Sequence, residues 1–353
     1  MKNFKRKKVI FFTSGNVGGA ERVTLTIAKM LPREGYEPII VHVCKKINNL
    51  DRFVPKWIPQ LQIRINNIWD FTTIRIYRLI EKEKPYAVFC SLNYLNVRVI
   101  LAAKLMNINK IIVRNNIGWG RWNRPIRLFA RLTYPSATAV ILQTKDMYEE
   151  FRSAVPEAAP LIHVIPNPLD TDYINSKLEN VSTPYSQNYK NFVYVGRVSY
   201  EKGIDTLLKA FAKVNKQIPK TQLTIVGAYD KTSEYFQSLM NLLYAFGIKD
   251  KVSFIGFSDN PYRYIKYADC FVLASRVEGN PNVLHEAMYI RTPVVATRSI
   301  PIIDEIVTPE RGSTVNVDDI DSLCSSMVNT LALKIEQPYN YSGGCTQFVK
   351  LFE

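Results

Sequence analysis

Short apolar runs recur along this chain, each followed by a polar or glycine-bearing loop and then by apolar residues spaced three and four apart. The first run, Val9, Ile10, Phe11 and Phe12, leads through residues 13–22 into Val23, Leu25, Ile27, Ala28 and Leu31. The same grammar returns at residues 191–195 ahead of Leu207, Leu208, Ala210 and Phe211, and at 269–274 ahead of Val283, Leu284, Ala287 and Met288. Two further runs, 222–226 and 252–255, each close on a glycine, Gly227 and Gly256. A short apolar run bounded by turn residues predicts a buried strand, and the helical spacing behind it predicts a helix packed over that strand. Strands and helices in alternation imply α/β units on parallel sheets, and 353 residues exceed one ordinary domain.

The pattern breaks at Val164-Ile165-Pro166-Asn167-Pro168-Leu169-Asp170, where two prolines stiffen the backbone, and a polar linker through residues 175–189 follows. The expected division is an N-terminal domain over residues 1–170, a second over 171–335 and a C-terminal segment over 336–353. Leu323, Met327 and Leu331 place a late helix within 318–333, and residues 344–353, with Phe348, Val349, Leu351 and Phe352, are the candidate for a last one.

The loop after the run at 269–274 carries Glu278 and Glu286, eight positions apart, in Ser275-Arg276-Val277-Glu278-Gly279-Asn280-Pro281-Asn282-Val283-Leu284-His285-Glu286. Asn280 suits a helix cap and Pro281 the first helical position, so Glu278 falls in the loop and Glu286 about one turn inside the helix. First-turn N–H groups near Asn282, Val283 and Leu284 then point at an anion lying over the strand end. Two carboxylates beside an anion are unfavourable unless they bind hydroxyls, so the expected ligand carries sugar as well as phosphate. The run at 191–195 continues as Gly196-Arg197-Val198-Ser199-Tyr200-Glu201-Lys202-Gly203, supplying a planar guanidinium fork and a compact ammonium for a diphosphate. Near the N-terminus, Gly15, Gly18 and Gly19 let backbone approach a ligand, but their spacing is not the dinucleotide fingerprint G-x-G-x-x-G.

Together these segments resemble the retaining GT-B glycosyltransferases of family 4. The glutamate pair is similar to that family's E-x7-E motif, and residues 191–203 to its strand-G-R-x-x-x-x-K-G pyrophosphate element. Gly18-Gly19-Ala20-Glu21-Arg22 resembles its G-G-A-E-R loop, and residues 165–170 resemble I-P-N-G-V-D with Pro168 at the glycine. The resemblance implies an α/β GT-B architecture, two Rossmann-like doubly wound domains facing each other across a cleft, with a last helix crossing back to the first. It implies a nucleotide-sugar donor, UDP-linked, as co-substrate, no metal or other cofactor, and an acceptor that is lipid-linked or a surface glycan. By the same resemblance Glu278, Arg197 and Lys202 are catalytic, and Gly18, Gly19, Gly279, Asn280, Asn282, Val283, Leu284 and Glu286 bind the donor, Glu286 through the ribose. Retention then needs no separate general base, because the departing phosphate takes the acceptor's proton. On the acceptor side the candidates are Asn93, Arg114, Asn115 and Trp119.

The chain departs from that family at three places. Arg114 and Asn115 stand where a histidine is frequent, Arg291 replaces the glycine ahead of Thr292-Pro293-Val294-Val295-Ala296, and the following G-G is absent from residues 297–301. A sugar-nucleotide epimerase or phosphorylase on the same fold is the alternative, although its acid–base groups or cofactor lysine find no place in the chain.

Charge adds a partner to this picture. Residues 1–170 hold 27 Lys and Arg against 12 Asp and Glu, so the whole formal charge of +15 lies in the first half. Residues 119–134 interleave Arg121, Arg124, Arg127 and Arg131 with Trp122, Phe129 and Tyr134, and a helix from Pro125 is expected to turn Ile126, Phe129, Ala130 and Thr133 inward. A basic, aromatic-rich helix suits an anionic membrane surface, so the expected location is cytoplasmic and peripheral on the inner face of the cell membrane. The charge is diffuse and no RNA module is evident, so nucleic acid is not an expected partner. Five cysteines without C-x-x-C spacing and three scattered histidines favour reduced, packed thiols over disulfides or a metal centre. No apolar run approaches the roughly 20 residues of a membrane span, and the basic start leads directly into a strand rather than reading as a signal peptide.

Overall fold

The computed structural model describes residues 6–32, 35–45, 50–65, 71–341 and 343–353. The chain forms two compact units, one of Met1–Leu169 with Ser342–Glu353 and one of Asp170–Tyr341.

The first unit is built on a parallel sheet of seven strands, β1 (Lys7–Thr13), β2 (Tyr36–Cys44), β3 (Gln60–Arg64), β4 (Ala87–Cys90), β5 (Lys110–Arg114), β6 (Ala139–Leu142) and β7 (Ile162–Val164). Their spatial order is β3-β2-β1-β4-β5-β6-β7. Between them run α1 (Gly19–Met30), α2 (Thr72–Glu83), α3 (Asn93–Leu105), α4 (Arg124–Thr133) and α5 (Lys145–Ala154). Successive side chains of β1 feed two different cores. Ile10 and Phe12 join Val88 and Cys90 in one, while Val9 and Phe11 join Ala87 and Phe89 in the other. A strand covered on both faces must be apolar at every position, which is why the run reads without alternation.

The second unit holds six parallel strands, β8 (Lys190–Val195), β9 (Thr221–Val226), β10 (Val252–Gly256), β11 (Cys270–Leu273), β12 (Val294–Thr297) and β13 (Gly312–Val315), in the order β10-β9-β8-β11-β12-β13. Its helices are α6 (Thr171–Leu178), α7 (Ile204–Gln217), α8 (Glu234–Ala245), α9 (Tyr262–Lys266), α10 (Asn282–Tyr289), α11 (Ile302–Ile306) and α12 (Ile320–Thr330). Each sheet reverses its strand order once, between β1 and β4 and between β8 and β11. Doubly wound sheets bind ligands beyond the carboxyl ends of their strands at such a point.

The last helix, α13 (Cys345–Lys350), belongs to the first unit. Phe348 and Phe352 are fully buried there, the Phe352 ring lies 5.8 Å from Phe11, and the Tyr36 hydroxyl donates to the Phe352 carbonyl at 3.0 Å. Residues 336–341, expected with this segment, instead close the second unit, where Tyr339 and Tyr341 stack on His285.

Three local expectations are corrected. The linker expected over residues 175–189 begins inside a helix, α6, whose start is capped by the Asp170 carboxylate accepting from the Tyr173 N–H at 3.1 Å. Helix α4 buries Ala130 but leaves Phe129 exposed beside Leu128 and Leu132. The space beneath it is taken by Trp119, Trp122, Tyr134 and Phe151, whose neighbouring rings lie 4.9–6.0 Å apart, so a small residue faces inward. Helix α10 starts at Asn282 with Pro281 ahead of it, and no side chain caps it. Asn280 turns to His285 instead, and the Leu284 N–H is used within the helix, donating to the Pro281 carbonyl at 3.0 Å.

The glycine that the resemblance places where Arg291 stands has a physical reason. Arg291 sits at φ +67°, where Arg291 N–H donates to the Met288 carbonyl and Thr292 N–H to the Ala287 carbonyl, the paired closure of a helix end that favours glycine. Arg291→Gly is expected to stabilise the second unit by about 0.5–1 kcal/mol, read as a higher urea midpoint at unchanged m-value. An unchanged or lower midpoint would show that the arginine side chain repays its backbone strain.

Candidate active site

Strands β8 and β11 are neighbours, pairing Phe192 with Cys270 and Val193 with Phe271, and their carboxyl ends carry the two loops that the sequence singles out. Gly203 lets these loops meet. Its φ is +62°, and a Cβ there would stand 2.0 Å from the Ala274 carbonyl oxygen. Lys202 Nζ consequently lies 2.6 Å from Glu278 Oε1, and the Ser275 hydroxyl donates to the same oxygen at 2.7 Å. The two charged side chains are 22% and 10% exposed, so the pair is sheltered yet reachable by solvent on the lysine side.

Arg276 holds the loops in this register, and the sequence reading does not single it out. Its guanidinium donates to both oxygens of Asp205 at 2.8 Å and, through Nε, to Asp318 at 3.0 Å. It also donates to the Tyr200 carbonyl at 2.8 Å and stacks 4.2 Å above the Tyr200 ring, while its own N–H donates to the Glu201 carbonyl. Burial opposes the Asp205 charge, but the Arg276 fork and the Tyr235 hydroxyl outweigh it and hold that carboxyl below its usual range. Arg276 holds the Asp318 carboxyl low as well. No local signal could have found this residue, because its carboxylate partners stand 71 and 42 positions away in the chain.

The remaining candidates of the second unit lie at the same sheet end. Arg197 follows β8 with an exposed side chain that forms no hydrogen bond or ion pair among the described residues, while its carbonyl accepts from the buried Tyr194 hydroxyl at 3.0 Å. Glu286 is buried inside α10 and accepts from the Tyr262 hydroxyl at 3.3 Å. Gly279 and Asn280 form the turn into that helix, and Asn282 and Val283 open its first turn.

In the first unit, Gly18 precedes α1 and Gly19 begins it. The Ser14 hydroxyl donates to the buried Glu21 carboxylate across this turn, and the Thr24 and Ser91 hydroxyls, 2.6 Å apart, tie α1 to the end of β4. Arg114 and Asn115 are each only 1% exposed. Arg114 donates to the side-chain oxygens of Asn116 and Asn167, and Asn115 Oδ1 accepts from the Tyr134 hydroxyl at 2.8 Å and from Asn96 at 3.3 Å. Both therefore belong to an internal polar network, which shapes the ends of β4 and β5. Asn96, a fully buried amide on α3, is a member that its apolar surroundings in the sequence concealed. Asn93 begins α3, and Trp119 packs edge-on against Phe151 at 5.5 Å. Among the described residues, no group of three or more His, Cys, Asp and Glu side chains could hold a metal ion, and no helix is long and apolar enough to cross a membrane.

Comparison with known proteins places the chain. Residues 17–173 match the family model Glycosyltransferase Family 4, and residues 177–336 match the model Glycosyl transferases group 1. The chain belongs to this family, the glycosyltransferases of GT-B fold. It is 27% identical over 275 residues to an uncharacterized glycosyltransferase of Methanocaldococcus jannaschii, covering 71% of this chain and 66% of that one. It is 25% identical over 318 residues to the N-acetylgalactosamine-N,N'-diacetylbacillosaminyl-diphospho-undecaprenol 4-alpha-N-acetylgalactosaminyltransferase of Campylobacter jejuni, covering 83% of this chain and 80% of that one. Among solved structures, Anabaena HepE in complex with UDP-glucose matches with a TM-score of 0.79 at 18% identity, over 98% of both chains.

Proposed function

We propose that this chain is a retaining, metal-independent glycosyltransferase of polysaccharide biosynthesis, moving a hexose or N-acetylhexosamine from a UDP-sugar to a lipid-linked or surface-glycan acceptor. The observation that carries the reading is the contact between Lys202 and Glu278 at the strand reversal of the second unit. An ammonium and a carboxylate held together there suit a ligand with anionic and hydroxyl-bearing parts side by side. Lys202 and Arg197 would take the diphosphate, Glu278 the sugar hydroxyls and Glu286 the ribose. As the anomeric C–O bond to phosphate breaks, charge grows on the diphosphate, and fixed cations stabilise that state more than the ground state. The acceptor oxygen bonds the anomeric carbon from the same face, and its proton passes to the departing phosphate oxygen. The Campylobacter relative, named for an undecaprenol-linked acceptor, and the UDP-glucose complex of the Anabaena structure support the substrate classes.

The test is nucleotide diphosphate release from a panel of UDP- and GDP-sugars in EDTA, with and without a polyprenyl-diphosphate-sugar. Acceptor-dependent release from one donor, with the anomeric configuration kept, is expected. Silence across the panel, with no thermal stabilisation by UDP or GDP, would remove the reading.

The location proposed is cytoplasmic and peripheral on the inner membrane face, with α4 as a contact. Leu128, Phe129 and Leu132 are exposed along this helix, together with Arg124 and Arg131. Replacing the three apolar residues by serine is expected to weaken binding to vesicles containing anionic lipid by about tenfold or more, and binding should fall as salt rises. Equal vesicle binding by the variant would move the contact elsewhere.

A further inference from the structure

His285 takes no part in the chemistry above, yet it is buried one position before Glu286. Its Nδ1 lies 2.7 Å from the Tyr339 hydroxyl and its Nε2 3.2 Å from Asn280 Oδ1. The ring stacks on Tyr341 at 4.2 Å, and Tyr341 lies parallel to Tyr339 at 5.6 Å. Arg311 lies 5.0 Å from the centre of the Tyr339 ring and donates to the Pro338 carbonyl at 2.7 Å, so residues 338–341 are strapped against the imidazole. Burial pushes the His285 pKa down to about 4, and the neutral ring carries a single N–H. Asn280 Oδ1 can only accept, so Nε2 bears that hydrogen and Nδ1 accepts from Tyr339. The hydrogen bonds therefore run in one direction, from Tyr339 through His285 to Asn280.

One group is left over. Asn280 is 9% exposed, and its Nδ2 is buried without a hydrogen-bond partner among the described residues, two positions beyond Glu278. Leaving a buried N–H unpaired costs about 1–3 kcal/mol, and such an orphan calls for a role such as an arriving ligand. Lys202 and Arg197 already offer cations for phosphate, whereas a neutral amide donor beside a carboxylate matches the mixed donors and acceptors of a sugar.

We infer that His285 is a positioning residue of the donor site, fixing the Asn280 amide so that Nδ2 donates to an oxygen of the transferred sugar, with Tyr339 setting the direction of the bonds. This rests on the donor reading of the second unit. It is separable from that reading, because the nucleotide and the sugar can be probed apart.

The experiment is calorimetric titration of the wild type, His285→Leu, His285→Gln and Asn280→Ala with UDP and with the UDP-sugar that the wild type turns over. His285→Leu and Asn280→Ala are expected to weaken the UDP-sugar about tenfold while UDP affinity stays within about twofold. His285→Gln, whose amide can accept from Tyr339 and donate to Asn280, should restore sugar binding. Asn280→Ala leaves the His285 stack in place, so it reports even where the leucine variant unfolds. Equal loss of UDP and UDP-sugar, or an undiminished UDP-sugar affinity in Asn280→Ala, would overturn the positioning role and leave the donor reading standing. Absence of UDP and GDP binding in the wild type would bring down both.

Discussion

Lys202→Ala and Glu278→Ala are each expected to lower kcat/KM for sugar transfer by about a thousandfold, the scale seen when a preorganised transition-state contact is removed. The two losses should differ in kind. On the proposed chemistry Lys202→Ala removes a cation from beside the departing diphosphate, so kcat should fall and UDP should bind more weakly. On the same reading Glu278→Ala removes the acceptor for sugar hydroxyls, so kcat should fall while UDP affinity holds. Neither change should unfold the second unit, since neither residue belongs to its apolar core. Single-turnover kinetics with UDP titration measure both effects. A loss of tenfold or less in either variant would show that the pair is an ordinary ion pair beside the chemistry.

Arg276→Ala is expected to destabilise the second unit by about 3 kcal/mol, the cost of removing the cation that Asp205 and Asp318 share. Activity should fall with stability, because Arg276 joins the loop that carries Lys202 to the loop that carries Glu278. Arg276→Lys should not rescue, as an ammonium cannot serve Asp205 in a two-point fork while also reaching Asp318 and the Tyr200 carbonyl. The network also sets a pH dependence. The Asp205 and Asp318 carboxyls titrate lower folded than unfolded, so their stabilisation is present above the ordinary carboxylate range. It is lost as the pH falls below about 4 and through their folded values. Thermal unfolding between neutral and acid pH should therefore show wild type and Arg276→Ala converging at low pH. Parallel curves would assign the stability elsewhere.

Much of the placement of the candidate residues was legible because it is local. Arg197, Lys202, Glu278 and Glu286 stand at fixed distances from apolar runs, and a strand followed by a helix leaves few ways to place them. Helix phase was less legible. Phe129 on α4 was expected inward and lies exposed, because ring packing by Trp119, Trp122, Tyr134 and Phe151, drawn from several elements, decided which face was left. Asn280 fitted a helix cap by type and position, but a histidine within the helix competed for its oxygen. Arg114 and Asn115 were conspicuous as polar residues at a strand end, and their burial among asparagines and Tyr134 depends on residues up to 53 positions away.

The chain's own order of residues determined the two α/β units, their strands, and the loops that bear Lys202 and Glu278, since hydrophobic periodicity and turn residues act over a few positions. Tertiary structure alone decided what holds those loops together. The Arg276 network, the strap of Tyr339 and Tyr341 over His285, and the placement of Phe348 and Phe352 in the first unit's core all join residues far apart in sequence. Such contacts arise from which surfaces remain to be covered once the sheets have formed, and no window along the chain records that remainder.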